Sequence, residues 1–314
     1  MSVIDLHCDT IYKLFNYPNL SEDDLYKNNL SIDIKRLKQA DYLCQCFALF
    51  LDLKETATPF KTCSDMLKLY KKSLEKNSQY ISSALNYHDI LKNKKENKIS
   101  SILTIEEGGA LEGKLSNLDY FYKNGVRLIT LTWNYPNEIG FPNYDFKYKD
   151  KGLTSFGFEV LEKMNELNMI IDVSHLSDQG FLDVYENSKQ PFVATHSNSR
   201  FITNHPRNLT DDMIKKLSTS GGIMGINFEK SFLGKSSKGR LEEMLSHIKH
   251  IKNVGGIDVI SIGSDFDGIE TPSEINNCSE MYKLADILKI NNFTENDIEK
   301  ILYKNALRVI KNTL

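Results

Sequence analysis

Short apolar runs alternate with longer amphipathic or polar stretches along this chain. Several of the longer stretches place apolar residues at i, i+3 and i+4, which is the period of a helix. Alternating strands and helices predict parallel strands joined by crossovers. Eight such units predict a closed (β/α)8 barrel, with a doubly wound open sheet as the alternative. The strand-like runs are SVIDLH from residue 2, YLCQCFALFL from 42, ISSILTIEE from 99, VRLITLTW from 126, MIIDVSH from 169, PFVATH from 191, GIMGINF from 222 and VISIGSDF from 259.

The segments outside these runs complete the predicted architecture. Residues 54–98 form a long connection that we expect to carry additional helices. The stretch TENDIEKILYKNALRVIKN predicts a final helix, with Thr294 as its N-cap and Asp297 as the partner in a capping box. Because no linker, low-complexity segment or internal repeat interrupts the chain, we predict a single barrel domain over residues 1–314.

Composition and charge are those of a water-soluble globular protein. The 314 residues are 40% hydrophobic and 26% charged, and the formal net charge of -3 suggests neither nucleic acid nor an anionic membrane as a partner. No apolar stretch of the sequence approaches the ~20 residues of a membrane span. Neither a signal peptide nor a lipid-anchor signal is visible, and we expect a cytoplasmic protein.

The cysteines favour the same compartment. There are five, an odd number, and none forms a C-x-x-C pair, which favours free thiols in a reducing environment. Cys44 and Cys46 lie on one face of an apolar run, where buried core thiols are a better interpretation than metal ligands.

Polar side chains follow five of the eight predicted strands. In a parallel barrel these strand ends converge on one face, where active sites lie. So many carboxylates cannot be held together in ionised form without cations, and mixed His and Asp/Glu ligands suit zinc or a similar metal. A carboxylate that bridges two ions would let them lie ~3.5–4 Å apart. The strand-end segments are residues 7–9, 106–109, 172–175, 194–197 and 265–268.

The remaining histidines are expected to play no part in this cluster. His88, His247 and His250 occur in helical, lysine-rich stretches, and we predict that they lie at the surface. His205 lies in a polar loop after the sixth strand, where a structural role is favoured over contact with a substrate.

The motifs and their order resemble those of the membrane (renal) dipeptidases, the zinc peptidases of family M19. The resemblance covers nearly the whole chain and implies a TIM barrel of the metal-dependent, amidohydrolase-like hydrolase type. The segment LTWNYPNEIGFPN is most similar to the bacterial, cytoplasmic and unanchored branch. The matching motifs are DLHCDT, IEEGG, RLITLTWNYPNEIG, GLTSFGFEVLEKMNELNMIIDVSH, PFVATHSNSR, HPRNLTDD, MGINF and IGSDFDG.

The resemblance implies two zinc ions per chain. One would be held by His7, Asp9 and Glu107, and the other by Glu107, His175 and His196. Glu107 is predicted as the bridging ligand in preference to Glu106, because it directly precedes the Gly-Gly pair. Side-chain alternation agrees that only one of these two glutamates should face the ions.

Two further residues acquire roles from the resemblance. Arg207 matches the arginine that grips the terminal carboxylate of the substrate, a task suited to a planar guanidinium. Asp265 matches an aspartate that moves protons beside the nucleophilic water. Together with Glu107, Asp265 is therefore a predicted catalytic residue.

The chain departs from the family pattern at Trp133. The animal enzymes have a histidine there, which steadies the tetrahedral intermediate. Trp133 offers an indole N–H and a large apolar face, so it is predicted to shape the substrate pocket, with packing at the barrel mouth as the alternative. Asn134 and Asn137 are neighbouring hydrogen-bond donors, and Asn134 is a predicted substrate-binding residue.

The implied activity is hydrolysis of dipeptides by a hydroxide that bridges the two ions, including dipeptides with a D-residue at the C-terminal position. One alternative is another binuclear hydrolase, of lactonase or deaminase type. Such a protein would lack Arg207, and it would usually begin with His-x-His rather than His-x-Asp. The other alternative is a non-catalytic binding barrel, which would have lost ligands that are all present here. Association into a homodimer is left open.

Overall fold

Nine parallel strands form one sheet in the computed structural model, which describes residues 1–17 and 25–314. Eight of them close into a barrel in the order β2-β1-β9-β8-β7-β6-β5-β4, because β2 also pairs with β4. Each of the eight predicted runs contains one barrel strand, so the predicted (β/α)8 barrel is confirmed. The strands are Val3–Asp5 (β1), Tyr42–Phe50 (β2), Ile81–Ser83 (β3), Ile99–Glu106 (β4), Val126–Thr130 (β5), Ile170–Asp172 (β6), Val193–Ala194 (β7), Ile223–Ile226 (β8) and Ile260–Ile262 (β9).

The additional strand β3 was not predicted. It lies in the long connection between the second and third runs and pairs with residues 99–101 of β4. From Leu103 onward β4 pairs with β5 instead, so β3 only lengthens the sheet at the N-terminal end of the barrel. Three residues are too few to produce a recognisable alternation of apolar and polar positions.

Helices connect the strands, and their starts show the expected capping. The side chains of Thr154, Ser177 and Thr210 each accept a hydrogen bond from a backbone N–H in the first turn of the helix that follows. The helices are Thr10–Asn16 (α1), Ile34–Gln39 (α2), Pro59–Lys76 (α3), Tyr87–Lys95 (α4), Leu115–Lys123 (α5), Ser155–Glu166 (α6), Asp178–Asn187 (α7), Asp211–Thr219 (α8), Lys230–Leu233 (α9), Leu241–Gly255 (α10), Tyr282–Ile290 (α11), Glu295–Glu299 (α12) and Asn305–Thr313 (α13). The helices predicted in residues 54–98 are α3 and α4.

The final helix closes the end of the barrel opposite the carboxyl ends of the strands. The predicted capping box of Thr294 and Asp297 is present, and a π turn over Lys300–Lys304 joins α12 to α13. Asn305 Nδ2 donates to Ile260 O, 2.8 Å away at the start of β9. The apolar side chains of α13 share one buried cluster with inward-facing strand residues such as Leu128. The floor of the barrel is therefore apolar.

Cys44 and Cys46 belong to that same buried cluster, which confirms their predicted core position. All five cysteines are buried, free thiols. No helix among residues 1–17 and 25–314 is long and apolar enough to cross a membrane.

The prediction that His247 lies at the surface was wrong. The side chain is fully buried, and it connects the segment after β7 to the end of α9. Nδ1 accepts a hydrogen bond from Ser199 N at 3.0 Å, and Nε2 donates to Leu233 O at 2.9 Å. Burial lowers the pKa of His247 to about 4, so the ring is neutral. His88 is exposed as predicted, whereas His250 is half-buried beside Asp211.

Candidate active site

The carboxyl ends of the barrel strands bring the polar side chains together, as the parallel topology requires. Three histidines and three carboxylates lie in one buried cluster, and they reach it from five different strands. His7 and Asp9 follow β1, Glu106 ends β4, His175 follows β6, His196 follows β7, and Asp265 follows β9.

Glu106 lies at the centre of this cluster. Its Oε2 is 3.2 Å from His7 Nε2, and its Oε1 is 3.0 Å from His175 Nε2 and 3.4 Å from His196 Nε2. The two latter nitrogens are 2.9 Å apart. Glu106 is thus the one carboxylate of the group that faces all three imidazoles.

Glu106 faces this cluster, whereas Glu107 was expected from the sequence to face it. Glu106 is the last residue of β4 and shares parity with Ile102, which faces the barrel interior, whereas Leu103 and Ile105 face the helices. Glu107 has the opposite parity and turns away from the cluster. Its carboxylate accepts hydrogen bonds from Gly109 N at 2.6 Å, from Trp133 N at 3.0 Å and from Asn137 Nδ2.

The other side of the cluster is formed around His7. Its Nε2 lies 3.3 Å from Asp9 Oδ2 and 3.8 Å from Asp265 Oδ1. His7 Nε2 and Asp9 Oδ1 are buried, and neither makes a hydrogen bond to the part of the chain that the structure describes. Buried polar atoms without partners are costly, so these two atoms fit a site that receives a ligand.

The electrostatics of the cluster also favour a cation. Burial raises the pKa of Glu106 to about 8 and that of Asp265 to about 6, because desolvation disfavours the ionised carboxylates. Burial lowers the pKa values of His175 and His196 well below their ordinary value. For His7, the effect of burial is outweighed by Glu106 and Asp9, which raise its pKa. Imidazoles beside carboxylates form a donor set that suits zinc.

Buried aspartates orient the residues of the cluster. His196 Nδ1 lies 2.7 Å from Thr195 Oγ1, which donates to Asp172 Oδ2 at 2.5 Å. This contact leaves Nε2 of His196 free to face the cluster. Asp5 accepts hydrogen bonds from the backbone of Ser264 and of His7 and so links the ends of β1 and β9. Neither aspartate was predicted to support the site, although a carboxylate inside an apolar run is a signal for such a role.

A pocket opens above the cluster, with a cavity volume of about 770 Å³. Its floor contains Glu106 and His175, and its lining includes all the predicted substrate-binding residues, namely Arg207, Trp133 and Asn134. The indole ring of Trp133 packs edge-on against Phe50, with the ring centres 4.8 Å apart. The volume suits a small ligand rather than an extended chain.

Arg207 is a buried cation with unused donors. Its side chain faces the pocket, and among residues 1–17 and 25–314 only its Nη2 makes a hydrogen bond, to His196 O at 3.3 Å. Nε and Nη1 have no partner within the described chain. Burial lowers the pKa of Arg207 to about 10, so the group stays charged at neutral pH. A planar cation in this state is suited to bind a carboxylate.

His205 lies in the pocket wall beside this arginine. Its Nδ1 accepts a hydrogen bond from Arg207 N at 3.2 Å, and its ring contacts Phe232 with the ring centres 4.6 Å apart. Burial lowers the pKa of His205 to about 4. The side chain therefore supports the loop that carries Arg207 and also lines the pocket.

Comparison with known proteins assigns the family. The family model described as Membrane dipeptidase (Peptidase family M19) matches residues 1–314. A protein of Klebsiella pneumoniae, described as an uncharacterised protein in the pqqA 5′ region, is 32% identical over 264 residues, which are 81% of this chain and 97% of that protein. An uncharacterised dipeptidase of Schizosaccharomyces pombe is 29% identical over 334 residues, covering 99% of this chain and 80% of that protein.

Solved structures agree in fold. The structure of dipeptidase AC, a metallopeptidase of family M19, has a TM-score of 0.92 at 25% identity and covers 100% of this chain and 98% of its own. A metallopeptidase of Rhodobacter sphaeroides, liganded with a phosphinate mimic of the dipeptide L-Ala-D-Ala, has a TM-score of 0.91 at 23% identity. The match covers 100% of this chain and 99% of that protein.

A parallel barrel with histidines and carboxylates clustered at its strand ends defines a barrel metallohydrolase. Within that class, the chain belongs to the membrane dipeptidase family, peptidase family M19, and is a metallo-dipeptidase. The resemblance recognised from the sequence motifs is thereby confirmed, and the enzyme is favoured over the non-catalytic barrel.

Proposed function

We propose that this enzyme hydrolyses the peptide bond of free dipeptides with two zinc ions per chain. The observation that carries the proposal is the juxtaposition of two features in one pocket. A buried cluster of histidines and carboxylates forms its floor, and the buried guanidinium of Arg207 has two donors without partners in the part of the chain that the structure describes. One feature suits catalytic metal ions, and the other suits the terminal carboxylate of a short peptide.

The ligands divide into two sets that share Glu106. We assign His7, Asp9 and Glu106 to one ion, and Glu106, His175 and His196 to the other. Glu106 replaces Glu107 as the bridging ligand because its two oxygens face different histidines. When bound, divalent ions of this kind supply an activated water as nucleophile and polarise the scissile carbonyl.

Asp265 is proposed as the group that moves the proton. Its Oδ2 accepts a hydrogen bond from Asn227 Nδ2 at 2.8 Å, which leaves Oδ1 facing the cluster. A carboxylate whose pKa is raised to about 6 can take up a proton at Oδ1 and return it to the leaving nitrogen near neutral pH. Asp265 therefore acts as base and then as acid.

Arg207 positions the substrate. Its free Nε and Nη1 would hold the terminal carboxylate, which fixes the distance from that carboxylate to the scissile bond and so selects dipeptides. Trp133 and Phe50 supply an apolar wall for a substrate side chain. We extend the proposal to substrates with a D-residue at the C-terminal position, supported by the dipeptide mimic that the Rhodobacter sphaeroides protein binds.

The whole chain is proposed to act as one barrel domain in the cytoplasm. Residues from the first strand to the last contribute to the same cluster. The five free thiols suit a reducing compartment.

The proposal is tested by metal analysis together with a substrate panel. Protein purified without chelator and reloaded with zinc should contain close to two equivalents per chain, and it should hydrolyse L,L- or L,D-dipeptides but not tripeptides. Saturation at a single equivalent would refute the two-ion site. Absence of hydrolysis across the panel by fully loaded protein would refute the activity.

Trp133→His tests whether the indole serves as a pocket wall. We expect kcat/KM for dipeptides to fall about 2- to 10-fold, because an aromatic pair such as Trp133 with Phe50 contributes about 0.5–1.5 kcal/mol. Steady-state kinetics over the dipeptide panel provide the measurement. Phe158→His, a similar change at an exposed aromatic outside the pocket lining, serves as the matched control. A rise in kcat for every dipeptide with unchanged KM would instead show that a transition-state donor had been restored.

A further inference from the structure

Glu107 has a backbone conformation that is unusual for glutamate. Its φ and ψ are both 93°, in a region that glycine enters freely and other residues rarely adopt. The residue is fully buried at the end of β4, next to Glu106 but turned away from it. A strained, buried glutamate persists only where the surrounding structure holds it, so the contacts of its carboxylate must offset the strain.

Those contacts fasten a loop to the end of β4. The loop, residues 131–140, follows β5 and supplies two of the three N–H donors, namely Trp133 N and Asn137 Nδ2. The third donor is Gly109 N. A Cβ added to Gly108 would lie 2.7 Å from Leu131 O, so the glycine allows the loop backbone to approach this closely.

The side chain of Asn137 also makes hydrogen bonds to the backbone of its own loop. Its Nδ2 also donates to Leu131 O at 2.9 Å, and its Oδ1 accepts from Ile139 N at 2.8 Å and from Gly140 N at 3.1 Å. The two points at which Glu107 holds the loop, residues 133 and 137, flank Asn134. The position of Asn134 therefore depends on a carboxylate that does not touch it.

Asn134 in turn determines which nitrogen of His175 carries the proton. Its Oδ1 lies 3.2 Å from His175 Nδ1, and because an amide oxygen can only accept, the hydrogen belongs to Nδ1. Nε2 is then unprotonated, and it lies 3.0 Å from Glu106 Oε1. This is the tautomer that a metal ligand requires.

We infer that Glu107 is a positioning residue that acts on the metal centre through the loop of residues 131–140, by holding Asn134 against His175. The inference rests on the proposed function, because it treats His175 as a metal ligand. A carboxylate suits the task because all three of its partners are donors. A glutamine keeps only one acceptor oxygen and turns an NH2 group toward a donor.

The test is a double-mutant cycle read out as zinc affinity by competition with a chelator. Glu107→Gln and Asn134→Ala should each lower the affinity for the more weakly bound zinc ion by about 10- to 100-fold. This is the usual effect of removing a residue that hydrogen-bonds to a metal ligand. The double variant should match Asn134→Ala alone to within about twofold, since both changes act on one contact. Asn134→Asp, which keeps an acceptor oxygen, should retain the affinity. Glu138→Gln, an exposed change on the same loop, should have no effect.

Three results would overturn the inference. One is a folded Glu107→Gln variant with the zinc affinity of the unaltered protein. Another is full additivity in the double variant, and the third is unaltered affinity in Asn134→Ala. If Glu107→Gln does not fold, Glu107→Gly replaces it, because glycine suits φ = 93° and also removes the carboxylate. Failure of the unaltered protein to bind two ions would refute the proposed function instead, and it would be seen before any variant is compared.

Discussion

Replacement of Glu106 by glutamine is expected to lower kcat/KM for dipeptides by more than about 1,000-fold, which exceeds the roughly 10²–10³-fold cost of losing one oxyanion donor. The reason is the position of its two oxygens, 3.0–3.4 Å from the Nε2 atoms of three histidines. An amide carries no charge and has one acceptor oxygen, so it cannot serve two ions. Kinetics and zinc content should be measured on the same samples, and zinc should fall below two equivalents.

Glu107→Gln is the matched comparison for this experiment, because it makes the same chemical change one residue further along the chain. It should reduce activity less than Glu106→Gln, since its carboxylate faces a loop rather than the histidines. The reverse order of the two variants would restore Glu107 as the bridging ligand and contradict the assignment made from the geometry.

Arg207→Lys is expected to raise KM for free dipeptides by about 10- to 100-fold, because each hydrogen bond to a charged group contributes about 1.5–3 kcal/mol. Lysine keeps the charge but loses the planar fork that Nε and Nη1 present to the pocket. The substitution is measured by steady-state kinetics with a free dipeptide and with the corresponding dipeptide amide, which lacks the terminal carboxylate.

The two substrates distinguish a carboxylate clamp from a structural arginine. The unaltered enzyme should process the amide poorly, and Arg207→Lys should lose little more with that substrate. Equal losses with both substrates would mean that Arg207 supports the fold of the site. Arg240→Lys, the same change at an exposed arginine outside the pocket lining, should leave both KM values unchanged.

The barrel could be predicted because its signal is repeated along the chain. Eight apolar runs separated by helical stretches specify parallel strands, and the polar residues that end them must then converge on one face. The short strand β3 escaped prediction because three residues carry no periodic signal. The surface position predicted for His247 was wrong because a lysine-rich helix suggests exposure. Its two hydrogen bonds are made to segments distant in sequence, which the sequence does not reveal.

The choice between Glu106 and Glu107 could not be made from the sequence. Two adjacent glutamates at the end of a strand are chemically equivalent, and proximity to Gly-Gly favoured the wrong one for the central position. The orientation of β4 decides, because Ile102 and Glu106 face the barrel interior while the intervening odd-numbered residues face the helices. The positive φ of Glu107 then turns its carboxylate toward a loop that the sequence does not mark as a neighbour.

The sequence by itself therefore determined the barrel, the family, the set of histidines and aspartates at the strand ends, and the arginine of the pocket. Each of these depends on residue type, on motif order or on the direction of parallel strands. Only the tertiary structure decided which glutamate faces the histidines, that Asp5 and Asp172 support the site, and that Asn134 reaches His175. These contacts join residues distant in sequence, and their geometry depends on strand parity and loop conformation, which local patterns do not encode.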